Sequence, residues 1–165
     1  MKIRLDHKYH GAAIIQIAED DRFTAINSIK SNGSNHRSAF RVNDDIGVYL
    51  KYAEKPSETF EEFQFTFNQQ HLDDLAKLKK VTPKLFICLV CVKAEEICCI
   101  KYDLLLQMIV ERRSAKGEGE DTYAVLVNAP KGKGMRTYMN KPGRKGVTLT
   151  KHIVSRSAFP SDLFA

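Results

Sequence analysis

The sequence contains no tryptophan, five prolines and nine glycines among 165 residues, and no long apolar run. So few prolines and glycines exclude a low-complexity chain, while a hydrophobic content of 43% is too high for a disordered one. The longest apolar run, Leu85–Val92, has eight residues, whereas a membrane-spanning helix needs about 20. The amino terminus, with only a short apolar patch over Gly11–Ala18, is too polar for a secretory signal. We therefore expect a folded, cytoplasmic protein without a membrane partner.

Cysteine is also scarce, with Cys88, Cys91, Cys98 and Cys99 the four examples. Cys88 and Cys91 have a zinc-ligand spacing, but zinc knuckles place such pairs on turns, where both sulfurs converge. Here the pair lies in an apolar run typical of a strand, in which residues three apart point to opposite faces. The five histidines follow no metalloprotease or deaminase pattern either. We predict four buried, reduced cysteines and no metal site.

Acidic residues are absent from residues 122–161. Residues 1–121 carry 18 basic and 19 acidic side chains, whereas residues 122–161 carry eight basic ones, so the net charge of +6 comes from the carboxy-terminal part. Such a field attracts polyanions and favours release of counterions from nucleic acid. The eight cations are Lys131, Lys133, Arg136, Lys141, Arg144, Lys145, Lys151 and Arg156. They predict a surface that binds DNA or RNA, and an ordinary lysine-rich solvated surface is the alternative.

Within the basic part, Arg136 and Tyr138 share one face of a predicted strand, because side chains alternate along a strand. Met135, Thr137 and Met139 occupy the other face. An interleaved basic and aromatic surface neutralises phosphates and stacks bases. We therefore add Tyr138 to the predicted nucleic-acid surface, with simple packing in the sheet as the alternative.

The order of elements predicts a fold of the α+β or α/β class, a single domain over residues 1–165 with one mixed sheet flanked by about three helices. Residues 1–121 form its charge-balanced core of helices and strands, and residues 122–165 its basic, strand-rich part. Helices are expected over His10–Glu19, from an Asn68 cap to Lys80, and from an Asp103 cap to Arg113. The expected strands are a pair around Phe40 and Leu50, then Phe63–Phe67, Leu85–Val92, Ile97–Ile100, Tyr123–Asn128, Met135–Met139 and Val147–Ser155.

The segment Asp44–Lys51 carries the residues that most suggest catalysis. Alternation places Asp45, Tyr49 and Lys51 on one face of one strand. In metal-dependent phosphodiesterases, carboxylates hold the cation, and a lysine orients water or stabilises developing negative charge. The structural alternative is a turn at Asp44-Asp45 followed by a solvated strand lysine.

Residues 10–100 resemble the restriction-endonuclease-like, PD-(D/E)xK, core: a leading helix, strands around an acidic corner, an x-x-Lys strand, a helix and a hydrophobic central strand. The resemblance implies that Tyr49-Leu50-Lys51 occupies the acidic-x-Lys position, with tyrosine in place of the carboxylate. It further implies that Asp45 matches the first acid and Glu19 the helical one. The chain is also similar to conserved bacterial proteins of uncharacterised function, a similarity that implies no activity.

Three hypotheses follow. The preferred one is a nucleic-acid-binding module that needs no cofactor. The second is a nuclease using Glu19, Asp45 and Lys51 with Mg²⁺; because tyrosine is a poor replacement for a carboxylate in magnesium's oxygen shell, the sequence favours an inactive relative. The third is a protein-interaction or regulatory subunit, including a homo-oligomer formed through a sheet edge, whose basic face meets an acidic protein.

Overall fold

A computed structural model describes all 165 residues, which form three α-helices and eleven strands. The helices are α1 (Leu5–Ala18), α2 (Gln69–Val81) and α3 (Tyr102–Lys116). The strands are β1 (Ile26–Ser31), β2 (Ser34–Val42), β3 (Ile46–Ala53), β4 (Glu62–Asn68), β5 (Lys84–Cys91), β6 (Glu96–Lys101), β7 (Thr122–Asn128), β8 (Met135–Tyr138), β9 (Asn140–Lys141), β10 (Arg144–Thr148) and β11 (His152–Val154). A short 3-10 helix, Ser161–Phe164, ends the chain. None of the helices combines the length and the apolar character needed to cross a membrane.

The first sheet is mixed and has five strands in the order β1-β2-β3-β5-β6. Only β3 and β5 are parallel neighbours, and the chain passes from one to the other through β4 and α2. The other neighbours are antiparallel. Residues Leu85–Cys91 of β5 are all buried, because both faces of this strand are covered, as the uninterrupted apolar run predicts.

The second sheet is antiparallel, with the order β11-β8-β7-β4, and β9 pairs with β10 in a separate two-stranded hairpin. The rings of Phe63, Phe65 and Phe67 on β4 are buried in the larger core, between the two sheets and helices α2 and α3. The smaller core lies between the first sheet, α1 and the carboxy-terminal segment, which contributes Phe159 and Leu163. Alternation along Phe63–Phe67 therefore predicted both the strand and its buried face correctly.

The α+β class and the three helices are confirmed, and the strands are distributed over more than one sheet. The strand expected over Val147–Ser155 is interrupted, because the Thr150 amide donates to the Glu111 carboxylate of α3 at 2.7 Å instead of to a neighbouring strand. Asn68 caps α2 as expected, and its Oδ1 accepts from the His71 amide at 2.9 Å. Asp103 lies in the first turn of α3 instead of at its cap, because β6 runs directly into the helix through Lys101.

The four cysteines are free and buried, as predicted. Cys88 and Cys91 lie on opposite faces of β5, since Cys88 belongs to the smaller core and Cys91 to the larger one. Cys98 and Cys99 are divided between the two cores in the same way. Their sulfurs therefore do not converge as a zinc site requires.

Candidate nucleic-acid interface

The hairpin β9–β10 and the outer face of the second sheet line a cleft of about 400 Å³. Gln64 and Leu126 are cross-strand partners on that face, and Leu126 is in turn paired with Tyr138. Both residues line the cleft. The cleft is also lined by a set of polar or charged residues, namely Arg112, Thr122, Tyr123, Asn140, Lys141, Arg144 and Lys145. We call this feature the basic cleft.

Three of the eight carboxy-terminal cations, Lys141, Arg144 and Lys145, line the basic cleft. All three side chains are exposed. Among the eight, only Arg156 has a carboxylate within 4.0 Å. The charges of the three cleft cations are therefore available to an external anion.

A fourth cation of the cleft, Arg112 of α3, holds the hairpin in place. Its guanidinium donates two hydrogen bonds to the Glu120 carboxylate, at 2.6 and 2.9 Å. It donates a third to the Asn140 carbonyl, at 2.7 Å, and so ties β9 to α3. Because Glu120 neutralises this charge, Arg112 acts as a support for the cleft. An arginine near the end of an amphipathic helix gives no sign of this role in the sequence.

The Arg112–Glu120 pair predicts a pH-dependent stability. Hydrogen bonding to Arg112, assisted by Lys116, holds the pKa of Glu120 below its ordinary value near 4.5. A carboxyl whose pKa is lower in the folded state stabilises the fold above its unfolded pKa and loses that contribution as pH falls through its folded pKa. We therefore expect the difference in unfolding free energy between the wild type and Glu120→Gln to be largest near neutral pH and to shrink below about pH 4.5.

Urea unfolding followed by circular dichroism at a series of pH values measures this difference. Glu118→Gln is the matched control, because Glu118 is exposed and has no ion pair, so this variant should track the wild type at every pH. A Glu120→Gln effect that stays constant from pH 7 to pH 3 would show that the ionised carboxylate contributes nothing.

The remaining predicted cations differ in their availability. Arg156 donates to the carbonyls of Pro130 and Lys133, at 2.6 and 2.8 Å, and pairs with Glu96 at 2.7 Å, so it holds the β7–β8 turn in place. Arg136 is half-buried and donates to the Gly134 carbonyl of the same turn. The contacts of Arg156 correct its assignment as a free phosphate ligand, whereas Arg136 makes no ion pair. Lys131 and Lys133 are exposed in that turn, outside the basic cleft.

Tyr138 does not offer a ring for base stacking. Its side chain is on the outer face of the second sheet with Arg136, as alternation predicts, but the residue is only 4% exposed. Its hydroxyl donates to the Glu62 carboxylate, and the Lys151 ammonium lies 5.1 Å from the ring centroid. The packing alternative is therefore the correct one for Tyr138.

The three residues of the nuclease hypothesis do not meet. Asp45 directly precedes β3 and pairs with Lys84 at 3.6 Å, whereas Lys51 lies near the other end of the strand, about 20 Å away at roughly 3.3 Å per residue. Glu19 is exposed and follows the last residue of α1. The opposite half of α1 contacts the Lys51 end of β3, where the rings of His10 and Tyr52 lie 5.7 Å apart. The resemblance thus suggested a convergence that the geometry does not provide.

Lys51 lies against an aromatic ring instead of carboxylates. Its Nζ is 4.9 Å from the centroid of the Phe67 ring, and burial lowers the pKa of its ammonium. Tyr49, at the position of the family's carboxylate, has a pKa raised to about 12, first by burial and then by the Asp74 carboxylate. Its phenol is therefore protonated at neutral pH and is no anionic ligand.

No three or more His, Cys, Asp and Glu side chains are grouped so that they could hold a metal ion. The residues around Lys51 therefore do not fit magnesium, which requires a nearly octahedral shell of oxygens. No protein-family model, curated protein or solved structure matches this chain. The basic cleft is the part of the surface that combines accessible cations with an exposed amide side chain.

Proposed function

We propose that this protein binds nucleic acid, DNA or RNA, in the cytoplasm, through the basic cleft. The observation that carries the proposal is the grouping of Lys141, Arg144 and Lys145 on one short hairpin, exposed and without carboxylate partners. Cations already paired with carboxylates gain little from a phosphate, whereas unpaired ones release the counterions of a polyanion when they bind it. The protein acts, on this proposal, as an accessory of DNA or RNA transactions.

The walls of the cleft suit a nucleotide as well as a phosphate. The exposed Gln64 supplies an amide group, which both donates and accepts hydrogen bonds, as base edges and sugars do. The cleft volume of about 400 Å³ is in the range of small-molecule sites. Phosphate contacts at the hairpin would fix the position of the nucleic-acid strand, and the Gln64 amide would contact its bases.

Protection of lysines from acetylation tests the location of the binding surface. We expect a bound oligonucleotide to protect Lys141 and Lys145 several-fold from an acetylating reagent, as measured by mass spectrometry of the digested protein. Lys77 and Lys80, exposed on α2 and unpaired, are internal controls that should react equally with and without oligonucleotide. Equal modification of all four lysines under saturating conditions would refute the proposed surface.

The nuclease hypothesis receives less support. Strand β4, which belongs to the second sheet, lies between the x-x-Lys strand β3 and helix α2. The separation of Asp45 from Lys51 and the protonated phenol of Tyr49 speak against a metal-dependent reaction at that face. The chemistry of the surface therefore supports a binding module better than a nuclease.

A further inference from the structure

An exposed aromatic ring lies beside the hairpin that carries the three cleft cations. Phe60, just before β4, is 44% exposed and is the most exposed phenylalanine of the chain. Its ring lies directly against the backbone of Gly146 in β10: a Cβ added there would come within 2.8 Å of the ring. Gly146 also has a φ of +80°, which favours glycine. The hairpin backbone therefore contacts the ring and holds it beside the cleft cations.

Phe60 lines a second depression, also of about 400 Å³, which adjoins the basic cleft. The two depressions share Gln64, Leu126, Asn140 and Lys145 in their walls. Lys55 adds a further exposed, unpaired cation to the second depression. The two together form one groove along the outer face of the second sheet, lined by exposed cations and by an aromatic ring.

Two polar groups of the groove wall are not available to a ligand. The side-chain oxygen of Asn140, which lies in the wall common to both depressions, is buried, so a ligand in the groove does not reach it. The Glu62 carboxylate in the same wall accepts the Tyr138 hydroxyl. The contacts open to a ligand are therefore the cations, the Gln64 amide and the Phe60 ring.

We infer that the groove takes single-stranded nucleic acid, with one base stacked on Phe60 and the flanking phosphates at Lys55, Arg144 and Lys145. The inference rests on the proposed function and names its substrate class. A charged groove with an accessible aromatic ring is the arrangement by which proteins bind single strands with little sequence preference. A duplex is a poor ligand for this groove, because the faces of its bases are covered by their neighbours.

The absence of tryptophan makes a direct test available. In the Phe60→Trp variant the introduced indole is the only one in the protein, and stacking with a base quenches its fluorescence. We expect quenching by dT12 and by rU12, whose relative strengths distinguish a DNA ligand from an RNA ligand, and little quenching by a 12-base-pair duplex. Val110→Trp is the matched control, because Val110 is 60% exposed on α3 and does not line the groove, so its fluorescence should not respond.

A second variant separates the stacking inference from the proposed function. Phe60→Leu keeps an apolar side chain on Gly146 but removes the ring, so we expect about 10-fold weaker binding of single strands with an unchanged salt dependence. The stacking inference fails if the single strand binds without quenching the fluorescence of Phe60→Trp and binds Phe60→Leu as tightly as the wild type. The proposal that the basic cleft binds nucleic acid would then still stand. If no oligonucleotide binds the wild type at low salt, the proposed function fails with it.

Discussion

Replacement of Lys141, Arg144 and Lys145 together by alanine is expected to weaken oligonucleotide binding on the order of 100-fold at about 50 mM salt. When a cation of the protein is removed, the phosphate that it would contact keeps its counterions. The binding free energy therefore loses the contributions of all three contacts. The three side chains are exposed and make no ion pair, and the fold should therefore be unaffected. Fluorescence anisotropy of a labelled oligonucleotide measures the loss, and circular dichroism verifies the fold.

The control for this variant removes the same charge from elsewhere. Lys8 on α1 and Lys77 and Lys80 on α2 are exposed and unpaired, and their combined replacement by alanine lowers the net charge by the same amount. If the basic cleft is the binding surface, this control should lose only a few-fold in affinity, because a general change of net charge acts weakly and at long range. Equal losses in the two triple variants would mean that total charge determines binding and that the hairpin has no special role.

The second large effect is expected at Gly47, where β3 passes the end of α2. A Cβ at this position would lie 2.2 Å from Oγ1 and 2.7 Å from Cβ of the buried Thr82. The Thr82 hydroxyl donates to the Leu78 carbonyl at 2.7 Å, so it is not free to move away. We expect Gly47→Ala to lower the free energy of unfolding by about 3 kcal/mol, because overpacking a rigid site displaces backbone. Chemical denaturation measures the loss.

A compensating variant tests whether the clash is the cause. Thr82→Gly removes both atoms that the new methyl group would meet, so Gly47→Ala should cost much less in that background than in the wild type. The difference between the two costs is the coupling energy of the pair. If Gly47→Ala costs the same in both backgrounds, contact with Thr82 does not explain the requirement for glycine, and another neighbour such as Leu85, at 3.0 Å, has to account for it.

Local patterns predicted most of the elements of this fold. The alternating rings of Phe63–Phe67 and the apolar run of Leu85–Val92 identified a half-covered and a fully covered strand, because burial of side chains determines both patterns. The pairing between strands could not be predicted in the same way. Nothing in the residues of β4 indicates that it pairs with β7 instead of joining the first sheet, since strand pairing depends on contacts distant in sequence.

The candidate site could be predicted in composition but not in detail. The absence of carboxylates from residues 122–161 located the cations, yet it could not show that Arg156 pairs with Glu96 from another part of the chain. Alternation placed Tyr138 on the correct face, but it gave no information about what covers that face. Phe60 was missed because an isolated ring before a strand has no periodic pattern, and its position against Gly146 depends on the folded hairpin.

The salt dependence of binding in the wild type and in the Lys141, Arg144 and Lys145 triple variant is the decisive test of phosphate binding by the basic cleft. The logarithm of the association constant should fall linearly with the logarithm of salt concentration in both proteins, with a slope that reports the phosphate contacts. We expect the slope to be less steep by about two to three units in the triple variant, since each phosphate contact contributes about 0.7 to 0.9. Identical slopes in the two proteins would contradict it, because the three cations would then contact no phosphate.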